Sequence, residues 1–139
     1  MNIYFSCSIT GGRDQQTTYA QIVKKLIALG HEVPTAHLAS EDVFEQEINA
    51  DEVAVYQRDI GWVRRCDALI AEVSTPSHGV GYEIAAALYE KKPVLCCYRK
   101  GKSISKMITG NREPGMRVIG YGSENELMAA ILIFLNEIT

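Results

Sequence analysis

The sequence has no long apolar run and no excess of charge of either sign. Its longest uninterrupted apolar stretch, Met128–Leu135, is far shorter than the roughly 20 residues that a membrane-spanning helix needs. The formal net charge of −3 gives the molecule no overall attraction for nucleic acid or for an anionic membrane. We therefore predict neither of these partners, and any phosphate group must be held by local groups.

Cysteine and histidine are too few and too poorly spaced to form a metal site. None of the four cysteines forms a C-x-x-C pair, and the three histidines lack the spacing of ligands. We predict no metal and no organic cofactor, and free buried thiols, which suit a reducing, cytoplasmic compartment. Residues 1–9 lack the basic start and long apolar region of a signal peptide and are interpreted as a first strand.

What the sequence does have is an alternation of strand and helix patterns, with no repeat and no linker. A length of 139 residues predicts a single domain over 1–139. Predicted strands lie at 3–5, 32–33, 68–73, 93–98 and 116–120, and predicted helices at 15–29, 41–65 (broken near 49–51), 79–90, 102–109 and 124–138.

This alternation favours a three-layer α/β fold, with a doubly wound parallel sheet of the flavodoxin or Rossmann type. Right-handed crossovers favour five strands in the order 2-1-3-4-5. Ligands of such sheets bind at the carboxyl ends of the strands. That rule selects three loops, at 6–13, 74–81 and 99–105.

Glu83 stands in the segment S-H-G-V-G-Y-E at 77–83, which links a predicted strand to a predicted helix. Gly79 and Gly81 let the backbone approach a ligand closely. The pattern predicts Glu83 in the first helical turn, where free N–H groups and the helix dipole favour an ionised carboxylate. Such a carboxylate can act as a nucleophile, or it can simply stabilise the helix.

Asp59 and Tyr4 are further candidates for catalysis. Helical spacing over 55–63 puts Asp59 in an apolar stripe, where partial burial and a second carboxylate would raise its pKa. Two carboxylates in different environments can divide the nucleophile and acid–base roles. Asp59 can equally pair with a neighbouring arginine. Tyr4 lies on the first strand, where its phenol can hydrogen-bond a carboxylate or sugar oxygen, or merely pack.

Two loops offer groups that bind anions. The loop 6–13 has hydroxyls, glycines and one arginine, and Ser77 precedes glycine amides at the start of a helix. Neither loop matches G-x-G-x-x-G or G-x-x-x-x-G-K-[ST]. A dinucleotide or nucleoside triphosphate site is therefore disfavoured.

Several segments, in order along nearly the whole chain, resemble the 2′-deoxynucleoside 5′-phosphate N-hydrolases of the nucleoside 2-deoxyribosyltransferase family. They are Y-F-S-C-S-I at 4–9, G-G-R at 11–13, Asp59, residues 67–72, and P-S-x-G-V-G-Y-E at 76–83. The resemblance implies hydrolysis of the N-glycosidic bond of nucleoside 5′-monophosphates through a covalent glycosyl intermediate on Glu83. It implies Asp59 and Tyr4 as the other catalytic residues.

The resemblance also implies how the substrate, a small nucleotide, is held. The 5′-phosphate would lie against Ser8, Ser77 and Gly79, and against Ser105 from the second copy of a homodimer. His37 matches a histidine on the nucleobase side, and Thr10 stands where the relatives carry an arginine. The full implied set of substrate-binding residues is Ser8, Ile9, Thr10, Arg13, His37, Ser77, Gly79, Ser105 and Met107.

Alternatives stay open at this point. They are transfer of the sugar to a second base, hydrolysis of ribonucleotides such as cytidine monophosphate, and nucleotide binding without catalysis. The last predicted helix is apolar most of the way round, which is typical of a subunit interface or of domain core.

Overall fold

The computed structural model describes all 139 residues, which form four strands, six α-helices and one 3-10 helix. The strands are β1 (Ile3–Ser6), β2 (Ala68–Glu72), β3 (Val94–Arg99) and β4 (Met116–Tyr121). The helices are α1 (Gln16–Ala28), α2 (Val43–Glu47), α3 (Glu52–Arg65), α4 (His78–Tyr89), α5 (Lys106–Thr109) and α6 (Glu124–Ile138), with the 3-10 helix at Ala36–Ala39.

The strands form one parallel sheet in the order β1-β2-β3-β4. Every residue of β1 and β2 is buried, as expected for strands covered on both faces. Because the strands are parallel, their carboxyl ends lie at one edge of the sheet. The loops that follow β1, β2 and β3 therefore lie along that edge, where ligands of such sheets bind.

The sheet has four strands where five were predicted, so the five-strand order is not confirmed. The segment expected as the second strand forms a single parallel bridge, between Asn2 and Glu32. Pro34 follows at once and has no N–H to continue the ladder. The Thr35 side chain satisfies the backbone of β1 at this point, because its hydroxyl accepts from the Phe5 N–H at 3.0 Å and donates to the Phe5 carbonyl at 2.7 Å.

Helices cover both faces of the sheet, which confirms the predicted three-layer α/β arrangement. Side chains alternate along β1, so that Ile3 and Phe5 face one layer and Tyr4 faces the other. The first core, under α1 and α6, includes Ile22, Leu26, Ile70, Leu127, Ile131 and Phe134. The second core, under α3 and α4, includes Val63, Leu69, Ala71, Val80, Ile84 and Val94.

Several boundaries differ from the predicted ones by a few residues. The expected break in the long helix separates α2 from α3, where Asp51 caps α3 by accepting from the Ala54 N–H. The short helix expected within 102–109 is confined to Lys106–Thr109, since Ser105 caps it. All four cysteines are buried and unpaired, as predicted. No helix is both long and apolar enough to cross a membrane.

The C-terminal helix contributes mainly to the domain core. Leu127, Ile131, Phe134 and Leu135 belong to the first core cluster. Ile133 is the one large apolar side chain of the helix that is exposed, at 58%. Of the two interpretations of this apolar helix, the structure therefore supports packing against its own sheet.

Candidate active site

Glu83 lies in the second turn of α4, not in the first turn as predicted. The helix begins at His78 because the Ser77 hydroxyl accepts from the Val80 N–H and caps it one residue earlier than expected. The carboxylate is therefore beyond the free N–H groups of the helix end. Its environment is set by side chains from the sheet.

Two hydroxyls from β1 donate to the two oxygens of the Glu83 carboxylate. The Tyr4 hydroxyl donates to Oε1 at 2.9 Å, and the Ser6 hydroxyl donates to Oε2 at 2.5 Å. Tyr4 and Ser6 are two residues apart on a strand, so both side chains point to the α4 side of the sheet. The carboxylate is held in one orientation by groups that belong to a rigid, buried element.

The pKa of Glu83 is raised from an ordinary value of 4.5 to about 7, chiefly by burial and also by the negative charge of Asp59. The hydrogen bonds from Ser6 and Tyr4 oppose this shift because they favour the charged form. The prediction of a carboxylate kept ionised by the helix end was therefore wrong. Near neutral pH the group is divided between its two protonation states. Burial also raises the pKa of Tyr4, so its phenol stays a proton donor.

A cavity of about 300 Å³ opens beside Glu83. Its lining residues are Tyr56, Asp59, Ile60, Gly79, Tyr82 and Glu83. Two carboxylates from two helices, α3 and α4, thus face one small space. The hydroxyls of the two lining tyrosines lie 3.3 Å apart at its exposed side.

Asp59 is held by its neighbour in the sequence. The guanidinium of Arg58 donates from Nε to Asp59 Oδ1 at 2.8 Å, and its Nη1 lies 3.0 Å from Glu47 Oε1. From the sequence, Asp59 was expected either to pair with a neighbouring arginine or to lie near a second carboxylate. The structure shows both together.

His37 and Trp62 complete this side of the site. His37 Nε2 lies 3.0 Å from Glu47 Oε1, and the imidazole meets Trp62 edge-on, with ring centroids 6.0 Å apart. Trp62 is half-buried, and Arg58 Cζ lies 5.0 Å from its ring centroid. A flat aromatic surface and an imidazole therefore lie against Arg58 and Glu47, and Arg58 in turn holds Asp59.

The loop after β1 packs directly on the loop after β2. A side chain at Gly11 would place its Cβ 2.2 Å from the Pro76 carbonyl oxygen and 3.0 Å from Ser8 Oγ, so only glycine fits. Ser8 is fully buried, and its hydroxyl has no hydrogen-bond partner. Ile9 is half-buried against the first core, and Thr10 is exposed. This junction brings Ser8 close to the start of α4.

Arg13, expected from the resemblance to bind substrate, is engaged with the protein itself. Its guanidinium donates to the carbonyl oxygens of Ser8, Leu38 and Ser40 at 3.0, 2.9 and 2.7 Å. It also lies over the Tyr19 ring at 5.3 Å. In this structure Arg13 shapes the loop after β1 and offers no free pair of donors to a phosphate.

The structure does not bring Ser105 and Met107 into the Glu83 cavity. Both line a separate groove of about 750 Å³ on another side of α4, together with Ser77. Ser105 caps α5 by accepting from the Met107 N–H, and Met107 is 82% exposed. Of the residues expected to touch phosphate, Gly79 faces Glu83, while Ser77 and Ser105 face the groove.

Sequence reasoning missed two residues of this site, Ser6 and Glu47, and considered Arg58 only as an ion-pair partner of Asp59. Ser6 carried a usable signal, since it lies two residues after Tyr4 on the same strand and must share its face. Glu47 carried none beyond its charge, because its contact with Arg58 joins two helices across a loop. No group of three or more His, Cys, Asp or Glu side chains is close enough to hold a metal ion.

Known proteins resemble this chain along most of its length. A candidate 2′-deoxynucleoside 5′-phosphate N-hydrolase 1 of Methanosarcina mazei is 40% identical over 134 residues, which are 96% of this chain and 83% of that protein. A 5-hydroxymethyl-dUMP N-hydrolase of Danio rerio is 42% identical over 125 residues, or 87% of each chain.

A solved structure shares the fold. The CMP N-glycosidase of Clostridium botulinum superposes with a TM-score of 0.71 at 18% identity, over 96% of this chain and 99% of that one. Residues 3–128 match the sequence profile of the family described as nucleoside 2-deoxyribosyltransferase. The chain belongs to the nucleoside 2-deoxyribosyltransferase family.

Proposed function

We propose that this chain is a glycosidase that hydrolyses the N-glycosidic bond of 2′-deoxynucleoside 5′-monophosphates, giving free base and deoxyribose 5-phosphate. The observation that carries the proposal is the setting of Glu83. Its carboxylate is oriented by Tyr4 and Ser6 and shares a small cavity with Asp59. Relatives about 40% identical are named N-hydrolases of 2′-deoxynucleoside 5′-phosphates and of 5-hydroxymethyl-dUMP, which supports this activity.

Glu83 is the nucleophile in this mechanism. Its ionised carboxylate forms an ester bond with the anomeric carbon C1′ while the bond from C1′ to the base breaks, through an oxocarbenium-like transition state. The base leaves with the electron pair of that bond. Tyr4 and Ser6 keep the carboxylate on the line of attack, which lowers the entropy lost on reaching the transition state.

Asp59 serves the leaving base and then the water. Its carboxylate orients the base by hydrogen bonds, beside Trp62 and His37. In the second step water attacks C1′, Asp59 accepts a proton from that water, and the ester to Glu83 breaks. The departed base receives the proton, so Glu83 and Asp59 both return to their starting forms.

The 5′-phosphate lies at the junction of the loops after β1 and β2 in this proposal. The buried Ser8 hydroxyl, which has no partner within the chain, is one donor, and the amides at the start of α4 are others. Binding energy from the phosphate then positions the sugar over Glu83. Lys102 and Lys106, which flank Ser105, supply positive charge where the relatives carry an arginine.

A second copy of the chain completes the site. Ser105 and Met107 project from α5 into a groove away from Glu83 of the same chain, and Met107 and Tyr89 are strongly exposed. A homodimer built on this groove would cover these side chains and bring Ser105 to the partner's phosphate site. Sedimentation at low concentration tests it: a dimer is expected, and a monomer that is fully active overturns it.

The activity is tested with a panel of deoxynucleoside monophosphates, matching ribonucleotides and unphosphorylated nucleosides, with free base as the readout. We expect base release from deoxynucleotides, and at least tenfold less from nucleosides, since these lack the phosphate contacts. Base release from ribonucleotides alone would reassign the sugar specificity.

A second base added to the mixture separates hydrolysis from sugar transfer, because transfer yields an exchanged nucleoside. Ligand-induced stabilisation without release of base would reduce the protein to a binding module.

A further inference from the structure

One guanidinium, that of Arg58, joins two carboxylates from different helices. Its Nε donates to Asp59 Oδ1 at 2.8 Å on α3, and its Nη1 lies 3.0 Å from Glu47 Oε1 on α2. The side chains of Asp59 and Glu47 are 17% and 15% exposed, so water screens these contacts only partly. The Glu47 oxygen also pairs with His37.

The geometry leaves the guanidinium little freedom. It stacks over Trp62 at 5.0 Å, and its two bonded edges point to fixed carboxylates. The third nitrogen, Nη2, is buried and has no acceptor. A buried donor without an acceptor is costly, so the contacts with Asp59 and Glu47 are what hold the guanidinium in this place.

Without Arg58, the carboxylates of Glu83 and Asp59 would face one cavity with no cation beside them. Glu83 faces Tyr4 and Ser6 from β1, and Asp59 and Arg58 from α3. Tyr56 and Tyr82 line the open side of the cavity. Among these groups Arg58 is the one cation, and it lies between an anion that serves the leaving base and an anion on α2.

We propose that Arg58 is a positioning residue for the glycosidic cleavage, which fixes the orientation of the Asp59 carboxylate and balances its charge so that Glu83 can ionise beside it. The proposal rests on the proposed function for its catalytic part. Glu47 is the second anchor, which keeps Arg58 turned toward Asp59 and links it to His37.

Arg58 acts on Glu83 through charge at a distance. Burial raises the pKa of Glu83, Asp59 raises it further, and Arg58 lowers it. Loss of Arg58 therefore moves this pKa upward. Because the nucleophile must be deprotonated, activity is present above the pKa of Glu83 and is lost as the pH falls through it. The acidic limb of the pH profile must then move to higher pH.

The test compares Arg58→Gln and Arg58→Lys with a matched control, Arg64→Gln, which removes the same charge from an exposed position of α3. Rates of base release are measured from about pH 5 to about pH 9. For Arg58→Gln we expect an acidic limb moved up by roughly half a unit or more and a plateau kcat lowered roughly tenfold to a hundredfold.

Arg58→Lys separates the two parts of the role. It keeps the charge, so its acidic limb stays near that of the wild type, but an ammonium group lacks the fork that reaches both carboxylates. Its plateau kcat is therefore lowered while its pH profile is kept. Arg64→Gln leaves both unchanged.

A readout without turnover keeps the inference separate from the proposed function. In protein labelled with ¹³C at the glutamate carboxyls, the Glu83 signal, identified by its loss in Glu83→Gln, is titrated in wild type and in Arg58→Gln. An upward shift of the titration supports the electrostatic part even if no nucleotide is cleaved. An unmoved titration and an unmoved acidic limb in a folded Arg58→Gln protein would overturn it. An unchanged plateau kcat in both variants would overturn the positioning part.

Discussion

Two glutamates of this molecule, the fully buried Glu72 and the half-buried Glu83, have nearly the same hydrogen-bond partners and different surroundings. Glu83 accepts from the hydroxyls of Tyr4 and Ser6. Glu72, at the end of β2, accepts from the hydroxyl of Tyr121 at 2.9 Å and from that of Ser74. Burial raises the pKa of both carboxyls.

The difference between them lies in access. Glu72 is 0% exposed, and its partner Tyr121 belongs to the core under α1 and α6. Glu83 meets Tyr4 on the opposite face of the sheet and lines a cavity with Asp59. A tyrosine and a serine around a buried carboxylate are thus not a sign of catalysis. The open space in front of Glu83, with a second carboxylate across it, sets the proposed nucleophile apart.

The largest expected effect comes from replacing each glutamate by its neutral isostere. Glu83→Gln keeps the size of the side chain and one of its two acceptor oxygens but cannot form the ester, so we expect base release to fall by about a thousandfold or more. Glu72→Gln removes a carboxylate of similar environment that no substrate can reach, and we expect activity within about tenfold of the wild type.

Free base measured by chromatography at saturating nucleotide decides between the two variants. A Glu83→Gln protein with a tenth of wild-type activity would remove the nucleophile from the mechanism. An inactive but folded Glu72→Gln protein would show that access does not distinguish the two carboxylates.

Tyr4, Asp59 and Glu83 could each be placed on an element from local periodicity, but that the three meet was predicted from the family resemblance. Strand and helix patterns put these residues on β1, α3 and α4, and the carboxyl ends of parallel strands meet at one edge. The first-turn placement of Glu83 was wrong for a simpler reason, since Glu83 is the fifth residue of the predicted helix and the sixth of α4, and both positions lie past the first turn. Its raised pKa depends on burial by other elements, which no local pattern records.

Contacts between elements account for the other errors. The second strand was expected from Glu32 and Val33, yet Thr35 satisfies the backbone of Phe5 with its side chain. Arg13 stood in a loop typical of phosphate binding, but three carbonyls from two loops occupy its guanidinium. In each case a polar side chain hydrogen-bonds to backbone groups of a distant segment. Sequence periodicity does not predict such contacts.

A smaller effect is expected on the stability of the protein, which depends on pH through the titration of Glu83. The pKa of Glu83 is raised from 4.5 to about 7, so the folded state binds more protons than the unfolded state between these values. Stability therefore falls as the pH rises through this window, by about 3 kcal/mol at about 1.4 kcal/mol per pH unit. Glu83→Gln removes this term, so we expect it to be as stable as the wild type near pH 4.5 and more stable above about pH 7.

Urea unfolding of both proteins at the two ends of this window measures the difference. Because Glu72 also has a raised pKa, it gives the wild type and Glu83→Gln the same additional pH dependence, which cancels between them. A stability advantage of Glu83→Gln that is the same at both pH values would contradict the assignment of this proton to Glu83.

The smallest expected effects come from removing one hydroxyl from each carboxylate. Tyr4→Phe deletes a donor that favours ionised Glu83, so its acidic activity limb should rise by up to about one pH unit, with kcat lowered roughly tenfold. Tyr121→Phe deletes the matching donor to Glu72 and should cost about 1–2 kcal/mol of stability, because it leaves a buried carboxyl oxygen with one partner fewer. The acidic limb of its pH profile should stay in place, since Glu72 lies on the other face of the sheet.

The pH profile of base release and the urea midpoint are measured on both variants. Equal shifts of the acidic limb in both would mean that the two sites share one titration. The distinction between the proposed nucleophile and the structural carboxylate would then fail.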